Sequence, residues 1–311
     1  MLYKNLLETV GNTPLVQLNN VSPNPNVRLF AKLEGQNPTG SVKDRIAKYM
    51  LQKAVAEGAL TKDRVILEPT SVNTGIALAM MARLMGYRMH AVMPENVSVE
   101  RRQLLHLYGA KIIPSDGKSG TNGSIEMAEG LVKKDPMYFM PYQYGNAANP
   151  LAHYETTGPE VVRDLPEVDV FIAGLGTGGT LTGVGRRLKE HNPKVQIIAV
   201  APHPDELIQG LRSLEDGFIP PVLDLSVLNG RMIIRSKEAI EYTRLLTERE
   251  GIFAGVSSGA VLAGAVRVAR RMTKGNIVCL MADGGWKYLS TELWTEDFAK
   301  IEKRMEGKLW W

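Results

Sequence analysis

The groups in this chain best suited to chemistry are one lysine and a set of small polar residues, all at glycine-rich turns. In Asn37–Arg45, NPTGSVKDR, Lys43 follows a Gly-Ser turn at the expected start of a helix, flanked by Ser41 and Asp44. Upstream, VRLFAKLE alternates as a strand; downstream, DRIAKYMLQKAVAEGAL repeats its apolar residues at helical spacing. A solvated lysine is the ordinary fate of such a residue. The position is nonetheless awkward, because helix N-termini favour anions over cations.

A second turn, GLGTGGT at Gly174–Thr180, follows one strand pattern and opens a helix. Backbone N–H groups at such a turn, with the helix dipole, form an anion site, and glycines let the backbone approach phosphate oxygens. Thr177 and Thr180 add hydroxyls. A dinucleotide would also require an acidic residue at the end of the next strand. That strand, VQIIAVAPHP, ends in Ala201 and Pro202, with Asp205 several residues further on. A single phosphate is the better guest, and a tight turn that binds nothing is the plain alternative. In a third turn, PTSVNTG, Thr70, Ser71, Asn73 and Thr74 supply more small polar groups than capping needs. Such a cluster would grip a carboxylate. GVSSGA at Gly255–Ala260 reads most simply as an N-cap serine ahead of the helix AVLAGAVRVARRM.

The elements that must position these turns alternate between strand and helix almost throughout. RVILEPT, RMHAVMP, AKIIPSD and MYFMPYQYGN read as strands. The intervening helices are NTGIALAMMARLMGY, SVERRQLLHLYGA and SIEMAEGLVKK. In SVERRQLLHLYGA, Ser98 is expected to cap and Arg101–Arg102 to form an exposed face; Gly117–Gly123 is expected to be a loop. A second βα series begins after NPLAHYETTGPEVVRDL, interrupted by an irregular stretch over residues 203–229. The expectation is an α/β fold: two domains with open, mostly parallel twisted sheets flanked by helices, and a cleft between them.

Bulk properties narrow the function. The chain has 311 residues, 44% of them hydrophobic and 23% charged, with 37 basic and 33 acidic residues giving a net charge of +4. That is long for one compact core. Its basic residues are spread among acidic neighbours, which argues against nucleic acid. The lone Cys279, within the apolar run NIVCLMAD, excludes an intramolecular disulfide and any CxxC metal site, and no metal site is expected. No apolar run is long enough to span a bilayer and the start lacks a signal pattern, so a reduced cytoplasmic setting is the default expectation.

Taken in order and spacing, NPTGSVKDR, PTSVNTG, GTGGTLTG and GVSSGA resemble the fold-type II pyridoxal-phosphate enzymes, and most closely the cysteine synthases. The resemblance runs from GNTPLV near Gly11 to YLST at Tyr288–Thr291. It implies that Lys43 holds pyridoxal 5′-phosphate covalently, that Gly176, Thr177, Gly178, Gly179 and Thr180 cradle its phosphate, that Asn73 bonds its ring hydroxyl, and that Ser257 faces its ring nitrogen. Thr70, Ser71, Asn73, Thr74 and Gln143 would receive the amino-acid part of the substrate. The cofactor would sit in the interdomain cleft. Residues 1–36 and 146–311 would form the larger, phosphate-binding domain and residues 37–145 a smaller, mobile, substrate-binding one. It also implies a homodimer. A lysine buried at that corner would have its pKa lowered, leaving a neutral amine for covalent attachment and proton transfer.

Two features resemble the branch that uses O-phosphoserine rather than O-acetylserine. Arg212, in IQGLRSLEDGFIPP, matches an arginine whose planar donors suit a leaving phosphate, a rim salt bridge being the other reading. The tail EGKLWW, ending in Trp310 and Trp311, is similar to tails that cover the active site in that branch, where the sulfur donor is a small thiocarboxylated carrier protein; docking on its own domain or a dimer contact are the alternatives. Val72 departs from the family pattern, which has glycine there. A positive φ would strain a β-branched residue; a negative one would only narrow the site. Related alternatives are a cystathionine β-synthase, a serine dehydratase, or a partner-binding relative without turnover.

Overall fold

The structure is a computed structural model and describes residues 2–70, 73–95 and 97–305. Ser71, Val72 and the KLWW tail, each given an expectation above, lie outside the described residues.

Two short N-terminal strands, β1 (Leu15–Leu18) and β2 (Val27–Leu33), pair antiparallel; every other strand pairing is parallel. The chain then leaves for a four-stranded sheet of β3 (Val65–Pro69), β4 (Arg88–Pro94), β5 (Lys111–Ser115) and β6 (Tyr138–Phe139), in spatial order β5-β4-β3-β6. It returns with β7 (Val170–Gly174), β8 (Gln196–Pro202), β9 (Gly230–Ile234) and β10 (Gly275–Met281). These complete a six-stranded sheet in the order β1-β2-β10-β7-β8-β9. The expected α/β architecture with helices on both faces of parallel sheets is what the chain forms. All five residues of β3 are buried, as suits a strand covered on both faces. Cys279 lies in β10 with no exposure, and burial pushes its thiol pKa up, which makes it a core residue rather than a nucleophile.

Helices α1 (Lys43–Ala56), α2 (Asn73–Met85) and α3 (Val99–Leu107) share one apolar core against the small sheet, and α4 (Gly120–Lys134) covers its other face. Between the sheets run α5 (Ala148–Ala152), a π-helical turn at His153–Thr157, and α6 (Gly158–Asp164). On the large sheet, α7 (Gly179–His191) packs on one face, α8 (Ser236–Glu250) and α9 (Val256–Ala269) on the other, and α10 (Phe298–Met305) closes the described chain. Because α1 packs on α5 and α5 on α7, the two sheets are joined through helices. No described helix is long and apolar enough to cross a membrane.

Four local expectations need correction. Gly117–Gly123 is not a loop throughout: a single 3-10 turn ends at Ser119 and α4 starts at Gly120. There Gly123 lets the helix pack where a Cβ would stand 2.4 Å from that of Ser119. Helix α9 is capped by Gly255 rather than a serine, since a Cβ at that position would meet Asp283 Oδ1 at 2.2 Å. In α3, Arg102 is exposed as expected but Arg101 is 2% exposed. The strand in MYFMPYQYGN shrinks to Tyr138–Phe139, because Tyr142 and Gln143 give their N–H groups to buried Glu68 instead of to a ladder.

Candidate active site

The carboxyl ends of β3, β7 and β10 point to one cleft, the position where open parallel sheets bind ligands. β7 runs directly into the glycine turn. Gly178, with φ +83°, caps α7 in a conformation that favours glycine, and a Cβ there would lie 2.6 Å from Leu223. Asn149 braces the turn from below, its Nδ2 donating to Thr177 Oγ1 at 3.0 Å and to Gln143 O at 2.8 Å. His153, placed by the π-helical turn, bridges Thr157 Oγ1 (3.0 Å) and Thr180 Oγ1 (3.2 Å). Burial pulls its pKa down to about 3, so the imidazole is neutral. Asn149 and His153 were not singled out from sequence; their helical spacing resembles that of any packed helix.

The electrostatic puzzle of Lys43 is resolved by its neighbour. Asp44, fully buried, accepts from Thr39 N (2.6 Å) and Thr39 Oγ1, so it supplies the anionic group at the start of α1 and lets the lysine turn away. Burial pushes the Asp44 carboxyl up to about 6, opposed by those two hydrogen bonds. The corner is strapped to the end of β10 by Val42 N donating to Ala282 O at 2.8 Å and by a bridge between Ser41 and Asp283. Two residues on, Arg45 enters a buried cluster with Glu34, Glu160 and Lys32. Among the described residues the Lys43 amine makes no hydrogen bond or ion pair. Burial lowers its pKa, against the pull of Asp283 and Glu34.

Asn73 is locked from both sides. Its Nδ2 donates to Asp283 Oδ2 at 2.7 Å and its Oδ1 accepts from Lys287 Nζ at 2.7 Å, while Tyr288 Oη donates to the same Asp283 oxygen. Lys287 has no exposure, and its pKa is pulled down to about 8, by burial first. Thr74 Oγ1 donates to Gln143 Oε1 at 2.7 Å. Thr70, in contrast, accepts from Gly75 N at 3.0 Å and is not on the cavity wall, which is the capping behaviour ordinary for threonine.

A cavity of about 290 Å³ opens between the sheets. Lys43, Asn73, Thr74, Gln143, Gly176, Thr177 and Arg212 line it, joined by Arg101. A narrower extension is lined by Lys43, Asn73, Gly176, Thr177, Gly178, Thr180, Ser257 and Asp283. The structure thus brings the expected residues together, apart from Thr70, the undescribed Ser71, and Gly179, which heads α7 behind the wall. Arg212 is fixed by its own N–H donating to Leu175 O at 2.7 Å, by Nη1 donating to Asn122 Oδ1 at 3.2 Å, and by stacking on Tyr144 and Phe218. It makes no ion pair among the described residues, unlike a rim salt bridge.

Comparison with known proteins bears on the same site. A family model described as pyridoxal-phosphate dependent enzyme matches residues 6–283. A cysteine synthase of Staphylococcus aureus (strain Mu50 / ATCC 700699) is 41% identical over 303 residues, spanning 94% of this chain and 97% of its own. The chain belongs to the cysteine synthase family of pyridoxal-phosphate enzymes. Solved structures agree. An O-ureido-L-serine synthase superposes with a TM-score of 0.90 at 38% identity, covering 97% of this chain and all of its own. A cysteine synthase from Entamoeba histolytica gives 0.89 at 35% identity, covering 98% and 95%.

The family's cofactor is pyridoxal 5′-phosphate, and the site fits it on its own geometry. One part-buried amine, without a hydrogen bond or ion pair among the described residues, faces the narrow cavity, whose far end is a glycine turn at a helix N-terminus with two threonines. Between them lie the locked amide of Asn73 and the hydroxyl of Ser257. An amine for a carbonyl, donors for a phosphate and polar groups for a ring are the complement that this molecule requires.

Proposed function

We propose that this protein is a cysteine synthase that replaces the β-substituent of an activated L-serine with sulfur, using O-phosphoserine in preference to O-acetylserine. Lys43 carries the cofactor between turnovers and, once released, its Nζ takes the substrate's Cα proton and later returns it. When bound, pyridoxal phosphate supplies the electron sink for that proton loss and for departure of the β-substituent. Gly176, Thr177, Gly178, Gly179 and Thr180 hold its phosphate, Asn73 its ring hydroxyl and Ser257 its ring nitrogen. A serine hydroxyl cannot keep that nitrogen protonated as a carboxylate would, which favours elimination over racemisation. Thr70, Ser71, Asn73, Thr74 and Gln143 receive the amino-acid carboxylate.

The observation that carries the O-phosphoserine preference is Arg212, held on the wall that Lys43 shares and free of any ion pair among the described residues. A guanidinium there matches a phosphate monoester and gains little from a neutral acetyl ester. In this reading, residues 37–145 form the mobile substrate-binding domain, and residues 1–36 with 146–311 the larger one. The enzyme acts in the cytoplasm as a homodimer, with sulfide or a thiocarboxylated carrier protein as sulfur donor.

The test adds O-phosphoserine and O-acetylserine separately to the holoprotein, following the cofactor's visible band and the release of phosphate or acetate. kcat/KM is expected to favour O-phosphoserine by about tenfold or more, the worth of a charge-assisted contact. Arg212→Met should erase most of that ratio. A preference for O-acetylserine would return Arg212 to a rim role, and no response to either ester would overturn the cysteine synthase reading.

A further inference from the structure

Arg101 is the one basic residue of the cavity that the proposed reaction leaves without a task. Helix α3 carries it inward, where it is 2% exposed and lines the cavity with Lys43 and Arg212. One guanidinium nitrogen, Nη2, donates to Gln209 Oε1 at 2.8 Å. The other two, Nε and Nη1, are buried without a hydrogen-bond partner among the described residues. The ring of Tyr288 lies 4.9 Å from the guanidinium carbon, and its hydroxyl, which donates to Asp283, turns its oxygen's acceptor side to the guanidinium as a neutral partner that brings no counter-charge. The neighbouring acids attract Arg101 without pairing with it: Asp283 holds Asn73 and Tyr288 through Oδ2, and Glu100 accepts from Ser290 through both its N–H and its hydroxyl at 2.7 Å. Arg101 has no salt-bridge partner among the described residues.

A buried guanidinium with most of its donors idle is costly, and proteins keep such a charge only where it is compensated. The cavity itself offers no compensation. Apart from Lys43, which the cofactor takes up, its charged lining is Arg101, Arg212 and a single acid, Glu206, which already pairs with Arg235 at 2.7 Å and accepts from Ser236 N. The wall therefore carries an excess of positive charge that an anionic ligand would neutralise.

We propose that Arg101 is the anion-binding residue of the β-carbon subsite, pairing with the small anion that departs from, or arrives at, the substrate's Cβ. The inference rests on the proposed reaction. With the amino-acid part held by Asn73, Thr74 and Gln143 and with Lys43 at Cα, the Cβ substituent is left the remainder of the wall, where Arg101 and Arg212 stand. The Cβ–O bond breaks with its electron pair passing to phosphate, which leaves; the Cβ–S bond then forms with a pair from hydrosulfide or a thiocarboxylate. Both are small anions and they occupy the subsite in succession, so one buried cation serves either. Arg101 makes and breaks no bond. Arg212, half-buried on the loop and already stacked, selects the phosphate ester, whereas Arg101 holds whichever anion is inside.

The experiment titrates inorganic phosphate into the holoprotein, freed of excess cofactor, by calorimetry, for the native protein, Arg101→Met and Arg101→Lys. Phosphate should bind about tenfold or more weakly to Arg101→Met, with an intermediate loss in Arg101→Lys, whose ammonium lacks the planar donors. Two kinetic arms separate the sources. A raised KM for O-phosphoserine in the burst of phosphate released without sulfur donor assigns the departing anion; a raised KM for sulfide at saturating serine ester assigns the arriving one. Phosphate affinity within twofold of native in a variant that retains the cofactor's visible band would overturn the proposal, leaving Arg101 as a tie between α3 and Gln209. Should Arg101→Met fail to fold, an unchanged affinity in Arg101→Lys decides the same way. Failure of the reaction itself would be seen separately, as a native protein whose visible band answers to neither ester.

Discussion

Replacing Glu160 with glutamine should unfasten the corner that carries Lys43 without touching the cavity. Glu160 Oε1 accepts from Arg45 Nη1 at 2.6 Å and Asn12 N at 2.9 Å, and Oε2 accepts from Arg45 Nη2 at 2.7 Å and lies 2.8 Å from Lys32 Nζ. Glu34 takes the other side of Arg45 at 2.7 and 2.8 Å, so two cations and two anions balance with almost no exposure. Burial works against the Glu160 charge, but Arg45 and Lys32 more than offset it and hold the carboxyl at about 2 instead of 4.5. At about 1.4 kcal/mol per pH unit this is worth about 3 kcal/mol. It also agrees with the 3–5 kcal/mol, in round figures, lost when one partner of a buried pair is removed. The sign follows from the depressed pKa: the stabilisation is present in full above about 4.5 and is lost as pH falls toward about 2. Thermal melts of the holoprotein at fixed cofactor excess should show Glu160→Gln down by about 5–10 °C at neutral pH. The gap to the native protein should narrow as pH drops below 4.5. A variant melting within about 1 °C of native at neutral pH, or a gap that does not change with acid, would refute the reasoning.

Three further outcomes are expected. Lys43→Ala should fold with a melt close to native yet give no cofactor-bearing mass after borohydride reduction, because no other unpaired amine faces the narrow cavity among the described residues. Gly178→Ala meets both a φ of +83° and Leu223 side-chain carbons at 2.6–2.7 Å, so it should cost about 1–3 kcal/mol and release cofactor on dialysis, read as lost visible absorbance. Lys287 is held at about 8 against 10.5, so it binds its proton less readily folded than unfolded, and stability contains a contribution rising with pH between those values. Lys287→Met should abolish that rise in melts recorded across the same range, and a rise that persists would place it in another group.

What could be read from the chain alone depended on whether the cause was local. The glycine turn at Gly174–Thr180, the strand-to-helix corner at Lys43 and the βα alternation declare themselves within a few residues, because turn geometry and burial periodicity are short-range properties. Arg101 does not. In SVERRQLLHLYGA it stands beside an exposed arginine on an amphipathic helix, and its burial is decided by Gln209 and Tyr288, far along the chain. Lys32 and Glu34 look like the polar phase of β2 and its exit, yet both have no exposure, since Glu160 and Arg45 arrive from other helices. Motif resemblance likewise stopped short of Asn149 and His153, which touch the glycine turn from behind.

These buried polar residues share a geometry that explains why the site needs them. Each turn on the wall is a strand's end, and a strand's end is held by its own ladder only up to its last residue. The groups beyond must be fixed sideways. Asp283 and Lys287, past the end of β10, hold Asn73 at the start of α2; Asn149 and His153 hold Thr177 and Thr180 past β7; Asp44 and Arg45 hold the turn that presents Lys43. Each of these contacts is a hydrogen bond made from the side, by a neutral group or an opposed charge. Arg101 stands apart as the buried cation of the cavity wall with two nitrogens unbonded among the described residues. A scaffold that leaves two nitrogens of a buried guanidinium unbonded at the cavity wall has placed the missing counter-charge in the ligand.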